Sequence, residues 1–369
     1  MKISIGSKIV EGPWGGGNLF VTNISSYLRE KGHEVIYNLS EKDIDLIILT
    51  DPRSRKESTS TFNHLEINKY KELVNKNVVV VQRINECDER KGTENINNFY
   101  LEVSHSSDHV VFVSTWLRDI YVNLGMDTNK TSVLLAGANS DIFNNSNGDI
   151  WEPENKLKLV THHWSSHVNK GFDTYQLIDQ LLDDQEWRDK IEFTYIGNTS
   201  SEYNLKNTNI IEPLAGEDLS TELKKHHVYV TGSINEPSGN HHIEAAQCGL
   251  PLLYLDSGGM PEYCDGFGLS FNGDFDNKLK HMIENYEKYK TKMTEYPFNS
   301  KKMCDEYYSL FIDLLENKES QLKNKSKINI PGYLFLLKQK YQKVFRDNIY
   351  FNFKAKIIFL VRKVLGKNG

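Results

Sequence analysis

Apolar positions follow two alternating patterns over the first 130 residues. Short, continuously apolar runs at Lys2–Gly6, Glu34–Tyr37, Asp45–Leu49, Val78–Gln82, His109–Val113 and Ser132–Leu134 predict strands. Between them, Asn18–Lys31 places Leu19, Phe20, Ile24, Tyr27 and Leu28 on one helical face and stops at Gly32, and Trp116–Asn123 reads as a second helix. Strands buried on both faces and separated by helices are the mark of a parallel sheet. The polar, turn-rich stretch Asn144–Gly148 predicts a linker. The alternation then restarts, with strands at Leu157–Thr161, Glu192–Gly197, Thr208–Ile211, Val228–Thr231 and Pro251–Leu255 and helices at Phe172–Leu182, Glu217–Lys225 and His241–Cys248. The expected fold is α/β: two Rossmann-like parallel-sheet domains, residues 1–148 and 149–315, facing a cleft into which the carboxyl ends of the strands open. Residues 316–369 read as a connector, solvated over Glu316–Lys327, and a basic amphipathic helical tail.

The length of 369 residues, set against roughly 150 for an ordinary domain, agrees with two cores. Mean hydropathy is −0.54, and no apolar run approaches the roughly 20 residues that a membrane-spanning helix needs. The N-terminus enters a strand directly, without the pattern of a signal peptide. Cys87, Cys248, Cys264 and Cys304 show no C-x-x-C spacing, so a reduced cytoplasmic protein without structural zinc is expected. The net charge of −6 conceals an asymmetry, because residues 331–369 hold nine Lys or Arg against a single acid, Asp347. That tail interleaves its cations with Tyr333, Phe335, Phe345, Tyr350, Phe351, Phe353 and Phe359. It suits either an anionic membrane surface or packing across the acidic body, and the acidity of the body argues against nucleic acid.

The most informative segment is Val228–Glu262, VYVTGSINEPSGNHHIEAAQCGLPLLYLDSGGMPE. Here a strand leads through Glu236, Pro237, Ser238 and Gly239 into a helix that starts near Asn240. The free N–H groups and dipole of a helix start attract phosphate, and Gly239, lacking a Cβ, lets a ligand approach the main chain. Glu236 precedes that turn and Glu244 lies one turn inside, about 6 Å along the axis. The two carboxylates are then spaced to meet hydroxyl groups at both ends of a sugar diphosphate. Read without context, they are equally a capping acid and a solvated helix residue.

Three further clusters face the expected cleft. Thr161–Phe172, THHWSSHVNKGF, offers Lys170 with His162, His163 and His167. Glu11–Asn18, EGPWGGGN, puts Gly15, Gly16 and Gly17 before a helix, where a phosphate or an acceptor can come close, although it is not the dinucleotide fingerprint G-x-G-x-x-G. Val81–Lys91, VQRINECDERK, crowds Arg83, Glu86, Asp88 and Arg90 at a strand end, as acceptor contacts or as a salt-bridged loop. The D-x-D triplets Asp43–Asp45 and Asp274–Asp276 read as structural, and no metal site is expected.

At Glu236, Pro237, Gly239, Glu244 and Ala245, with Cys248-Gly249-Leu250-Pro251 and Gly258-Gly259-Met260-Pro261-Glu262, the sequence resembles retaining glycosyltransferases of the GT-B fold, family 4 (glycosyl transferases group 1). The resemblance implies that Glu236 contacts the donor sugar and Glu244 the ribose, with Ser238, Gly239, Asn240, His241 and His163 lining the donor site. It gives Lys170 the leaving diphosphate and the Gly15–Gly17 loop the donor phosphate or acceptor. Family members carry an arginine five residues before that lysine; here the position is Ser165. Sugar transfer from a nucleotide-diphosphate sugar to a glycan or lipid-linked acceptor follows, with retention of configuration, in polysaccharide biosynthesis and without a metal cofactor. The location implied is the cytoplasm, with peripheral membrane contact through residues 331–369. A nucleotide-sugar epimerase, or a degenerate binder of sugar nucleotides, remains open on the same residues.

Overall fold

A computed structural model describes residues 1–10, 15–53, 58–319 and 330–340. Among the described residues, twelve strands form two fully parallel sheets of six. The first contains β1 (Lys2–Ile5), β2 (Glu34–Ile36), β3 (Leu46–Leu49), β4 (Val79–Ile84), β5 (His109–Phe112) and β6 (Thr131–Val133), in the order β2-β1-β3-β4-β5-β6. The second contains β7 (Leu157–His163), β8 (Ile191–Gly197), β9 (Asn209–Ile211), β10 (Val228–Thr231), β11 (Leu252–Leu255) and β12 (Gly268–Phe271), in the order β12-β11-β10-β7-β8-β9. The central pair of the second sheet is in register at Val228 with Leu159 and at Tyr229 with Val160. Strand order reverses between β7 and β10, which is where ligands of open parallel sheets bind.

Helices cover both faces of each sheet. The N-terminal half carries α1 (Gly16–Glu30), α2 (His64–Leu73), α3 (Asp88–Lys91), α4 (Ile96–Ser104) and α5 (Thr115–Asn123). The C-terminal half carries α6 (Phe172–Leu181), α7 (Gln185–Lys190), α8 (Gly216–Leu223), α9 (Asn240–Gln247), α10 (Met260–Cys264), α11 (Phe275–Glu284) and α12 (Tyr286–Lys292). A long helix, α13 (Ser300–Glu319), follows. Continuous apolar runs such as Leu46–Leu49 and Val79–Val81 are buried because helices press on both sides of them.

The halves exchange segments near both expected boundaries. Ala136, Ala138 and Phe143 pack in the C-terminal core with Tyr229, Ile243 and Met260, so the chain has already crossed before Asn144. The turn-rich stretch Asn144–Gly148 is a surface loop, where polar residues are tolerated for exposure and not for flexibility between domains. In the other direction, α13 returns to the first sheet. Its Met303, Cys304, Tyr307 and Phe311 pack with Ile3, Phe20, Val81 and Val111. Residues 300–315 therefore complete the N-terminal core, and Glu316–Glu319, expected in a connector, continue the helix. The two crossings touch, with the Ser300 N–H donating to the Ala138 carbonyl at 2.7 Å. The glycine run differs as well, because Gly16 and Gly17 already belong to α1, while Glu11–Trp14 lie outside the described residues.

Residues 330–340 are helical and pack Phe335 and Leu336 against Tyr70, Ile67 and Val80, and Gln339 Nε2 donates to Glu66 at 3.1 Å. The remainder of the basic tail, residues 341–369, lies outside the described residues. All four cysteines are buried and free.

The exchange of α13 makes a specific demand on stability. Phe311→Ala, at a fully buried position, is expected to cost about 3–4 kcal/mol. Hydrogen exchange should then show lost protection in β1, β3 and β4, with β7, β8 and β10 unaffected.

Candidate active site

A cleft of about 740 Å³ separates the carboxyl ends of the two sheets. It is lined from one side by Gly15, Gly16, Gly17, Arg53, Arg83, Glu86 and Arg90, and from the other by His162, His163, Lys170, Glu236, Ser238, Gly239, Asn240, His241 and Glu244. The residues expected to bind donor or acceptor thus meet in one space, whereas His167 is exposed outside it and Asp88 bonds Thr93, Ile96 and Asn97. The reason is topological: Lys170 follows β7, and the Glu236 loop follows its neighbour β10, astride the point where strand order reverses.

Glu236 is the electrostatic centre of the cleft. Its Oε2 accepts from Lys170 Nζ at 2.6 Å, and its Oε1 accepts from Arg90 Nε at 2.9 Å. Burial alone pushes a carboxyl pKa upward, but these two cations outweigh it and hold Glu236 well below the usual carboxylate range. Burial pulls Lys170 down in turn, and Glu236 offsets this only in part. For Arg90, burial disfavours the charge, while Glu236 and Glu86 more than restore it. Arg90 comes from α3 in the N-terminal half, so the triad spans the cleft. Two more bonds accompany it: Asn169 Nδ2 donates to the Arg90 carbonyl at 2.8 Å, and Asn235 Nδ2 to the Glu89 carbonyl at 3.1 Å.

Glu244 is neither exposed nor a surface helix residue. It is buried, and its Oε2 lies 3.0 Å from His162 Nε2. The helix that carries it, α9, buries six of its eight residues, because it is wedged between the sheet, α8 and the cleft. Gly239 turns out to be required by the chain itself. Its φ is +70°, and a Cβ there would stand 2.6 Å from the His241 ring and 3.0 Å from Glu236 Cγ. Asn240 reaches across the cleft, since a Cβ on Gly16 would fall 2.8 Å from its Oδ1. Gly15 and Gly17 have open space beside them.

Beneath the start of α9 lies a layer of imidazoles. His163 and His241 face each other with ring centroids 4.6 Å apart, and His241 and His242 at 5.0 Å. His163 Nε2 bonds the Tyr175 hydroxyl at 2.5 Å, and His241 Nε2 bonds Thr231 Oγ1 at 3.1 Å. Burial pushes His163 and His241 well below the ordinary histidine range and His242 down to about 3. These rings are neutral polar floor. They do not replace the charge that Ser165 lacks; the second cation at Glu236 is Arg90, from the opposite wall.

The Gly258–Glu262 segment works between the halves. Glu262 accepts from the N–H groups of Thr115 at 2.7 Å and Trp116 at 2.9 Å, capping α5 of the other half. The Tyr263 hydroxyl donates to the Val113 carbonyl at 2.5 Å and accepts from the Ala136 N–H at 2.9 Å. Of the D-x-D aspartates, Asp43 pairs with Lys2 Nζ at 2.8 Å, and Asp274 accepts from the Asn272 N–H at 2.9 Å, both structural contacts. Arg90, His162 and Glu262 had no distinctive sequence signal for these roles; only the charge density of Val81–Lys91 pointed toward Arg90.

The family model for glycosyl transferases group 1 matches residues 184–303, the stretch that contains Glu236, Glu244 and Glu262. No curated protein sequence shows significant similarity. Among solved structures, the chain is similar to sucrose-phosphate synthase from Thermosynechococcus elongatus, at 14% identity and TM-score 0.65 over 86% of this chain and 99% of that one. It is also similar to the catalytic domain of starch synthase IV from Arabidopsis thaliana bound to ADP and acarbose (12%, TM-score 0.65, 85% and 99%). A third is HepE of Anabaena in complex with UDP-glucose (14%, TM-score 0.58, 87% and 100%). The fold is that of GT-B glycosyltransferases.

The neutral imidazole floor sets a pH dependence. A histidine whose pKa is lowered by folding stabilises fully above its unfolded value near 6.5, and that stability is lost as the pH falls toward its folded value. Going from pH 7 to 5 should cost about 2 kcal/mol for His242 alone. Thermal unfolding of His242→Phe should accordingly vary less between pH 7 and pH 5 than that of the wild type.

Proposed function

We propose that this protein is a glycosyltransferase that moves a sugar from a nucleotide-diphosphate sugar to an acceptor hydroxyl. The observation that carries this reading is the convergence of Lys170 and Arg90 on Glu236 at the carboxyl ends of β7, β10 and β4, beside the start of α9. Two cations sharing one carboxylate leave a surplus positive charge, which a diphosphate satisfies. When the donor enters, its phosphates take up Lys170, Arg90 and the N–H groups from Gly239 to His241. Glu236 is then released toward the sugar hydroxyls. Glu244, steadied by His162, meets the ribose.

Catalysis is the stabilisation of charge that grows on the leaving diphosphate. Arg90 supplies from the N-terminal half the second cation that Ser165 does not. As the bond from the anomeric carbon to the phosphate oxygen breaks, the acceptor oxygen bonds to that carbon on the same face, and its proton passes to the departing phosphate. Configuration is retained. A covalent adduct on Glu236 is disfavoured, since two cations occupy its oxygens. Because side chains neutralise the phosphates, the reaction needs no metal, in agreement with the family 4 resemblance. Neighbours whose structures contain UDP-glucose or ADP support a nucleotide at this site.

The acceptor is a glycan or lipid-linked glycan of polysaccharide biosynthesis, met at a cytoplasmic membrane surface. Among the described residues no helix is long and apolar enough to cross a membrane. The 330–340 helix nevertheless leaves Ile330, Tyr333, Leu334 and Leu337 exposed beside Lys338 and Lys340. That face suits shallow insertion, and each cation near an anionic surface adds about 1 kcal/mol.

Thermal shift with UDP, GDP and ADP should show stabilisation by one of them that weakens in Glu244→Ala; no shift with any overturns the reading. Glu236→Gln should lower turnover about 100-fold while binding the nucleotide at least as tightly, because its two cations are freed. Arg90→Ala should lose both binding and turnover, and EDTA should leave wild-type turnover unchanged. Sedimentation with phosphatidylglycerol vesicles, but not phosphatidylcholine vesicles, should fall when Leu334 and Leu337 are both replaced by Ser.

A further inference from the structure

One charge in the cleft has no function in the donor site. Arg83 closes β4 on the N-terminal wall, and its side chain is only 4% exposed. It follows Val79 and Val81 on the face that α1 and α13 cover, so its stem runs through the core and its head emerges at the cleft. Its guanidinium lies over the Phe20 ring at 4.3 Å, with Tyr307 beside it. Its Nε has no hydrogen-bond partner, and among the described residues no carboxylate comes within 4 Å of it.

Of the nearby acids, Asp51 is taken up by Arg53, while Glu86 is held only in longer ion pairs and its Oε2 makes no hydrogen bond. Asp51 accepts hydrogen bonds from Arg53 Nε at 2.9 Å and Nη2 at 2.8 Å. Glu86 Oε2 faces Lys91 at 3.4 Å and Arg90 at 4.0 Å. With Arg90 paired to Glu236 across the cleft, Arg53, Arg83 and Lys91 face Asp51 and Glu86 on this wall, an excess of one positive charge. A buried cation without a counterion is costly to a fold, and an aromatic face returns only part of that cost. A guanidinium also presents a fork of donors shaped for phosphate or carboxylate.

We infer that Arg83 is the anion-binding residue of an acceptor subsite, and that the acceptor carries a phosphate or carboxylate group near its reacting hydroxyl. The inference rests on the glycosyltransferase reading, since it takes the opposite wall as the donor side. Arg83 lies at the end of the strand next to β3, whose following residues Thr50 and Asp51 also line the cleft, away from Lys170 and Glu236. The anion therefore fixes the acceptor on the N-terminal wall while its hydroxyl points across. A soluble sugar acid and a lipid headgroup both supply such a group; the chemistry at Arg83 is shared.

Calorimetric titration of the nucleotide-saturated protein tests this, because the nucleotide occupies the competing cations at Lys170. The probes are glucose, glucose 6-phosphate, glucuronate and short-chain phosphatidylglycerol below its micelle concentration. At least one anionic probe should bind tenfold or more tightly than glucose, and Arg83→Met should abolish that preference, with Arg83→Lys keeping part of it. Binding of the sugar acids alone assigns a soluble source, and binding of the phospholipid alone a lipid one. The ligand-free Arg83→Met protein should unfold at the wild-type temperature or above, having lost an uncompensated charge. Equal binding of glucose and the anions, no binding of any anion, an anion preference that survives in Arg83→Met, or a lower unfolding temperature in that variant would each overturn the inference. Nucleotide binding in wild type and Arg83→Met keeps the two readings apart: if it is intact in both, failure with the probes falls on the acceptor subsite alone. If the wild type binds no nucleotide, the donor reading fails, and the acceptor assignment with it.

Discussion

The buried carboxylate of Glu236, held between Lys170 and Arg90, is the interaction around which the cleft is organised. Three charges taken out of water together carry a heavy desolvation cost, and only close, hydrogen-bonded pairing offsets it. At 2.6 and 2.9 Å the pairing is close enough. Because one cation comes from each half, the same contact that compensates the buried charge also ties the two walls of the cleft together.

Around that centre the halves are tied at different depths. Near the crossings, Tyr263 bridges Val113 and Ala136, and Ser300 bonds Ala138. Between these and the mouth, Glu262 caps α5 across the gap, satisfying two N–H groups that a helix start leaves unpaired. Near the crossings a backbone bond takes part, whereas among the described residues every cross-half bond at the cleft involves at least one side chain. Exchange of Ala136–Phe143 in one direction and of α13 in the other makes each half's core depend on chain from beyond its own sheet.

The floor beneath α9 answers a different constraint. A buried helix start needs polar neighbours for its free N–H groups, yet its own positive end disfavours a further positive charge deep in the protein. Imidazoles buried too thoroughly to protonate meet both conditions. Gly239 follows from the same crowding, with His241 and Glu236 occupying the space a side chain would take.

The local pattern of the chain by itself determined the alternation of strands and helices, the parallel sheets, and the spacing of Glu236 and Glu244 about the start of α9. These are short-range properties, written in apolar periodicity and in a few adjacent residues. The crossings were not legible, because Asn144–Gly148 is turn-rich in the same way as any exposed loop, and the apolar face of α13 does not say which sheet it covers. Nor were the partners of the charges. Arg90 and Glu236 are 146 positions apart, His162 and Glu244 are 82 apart, and Glu262 and Thr115 are 147 apart. Side chains reveal such pairings only once two sheets have been placed face to face, so tertiary structure alone decided that Arg90 is the second cation on Glu236, and that among the described residues Arg83 meets no carboxylate.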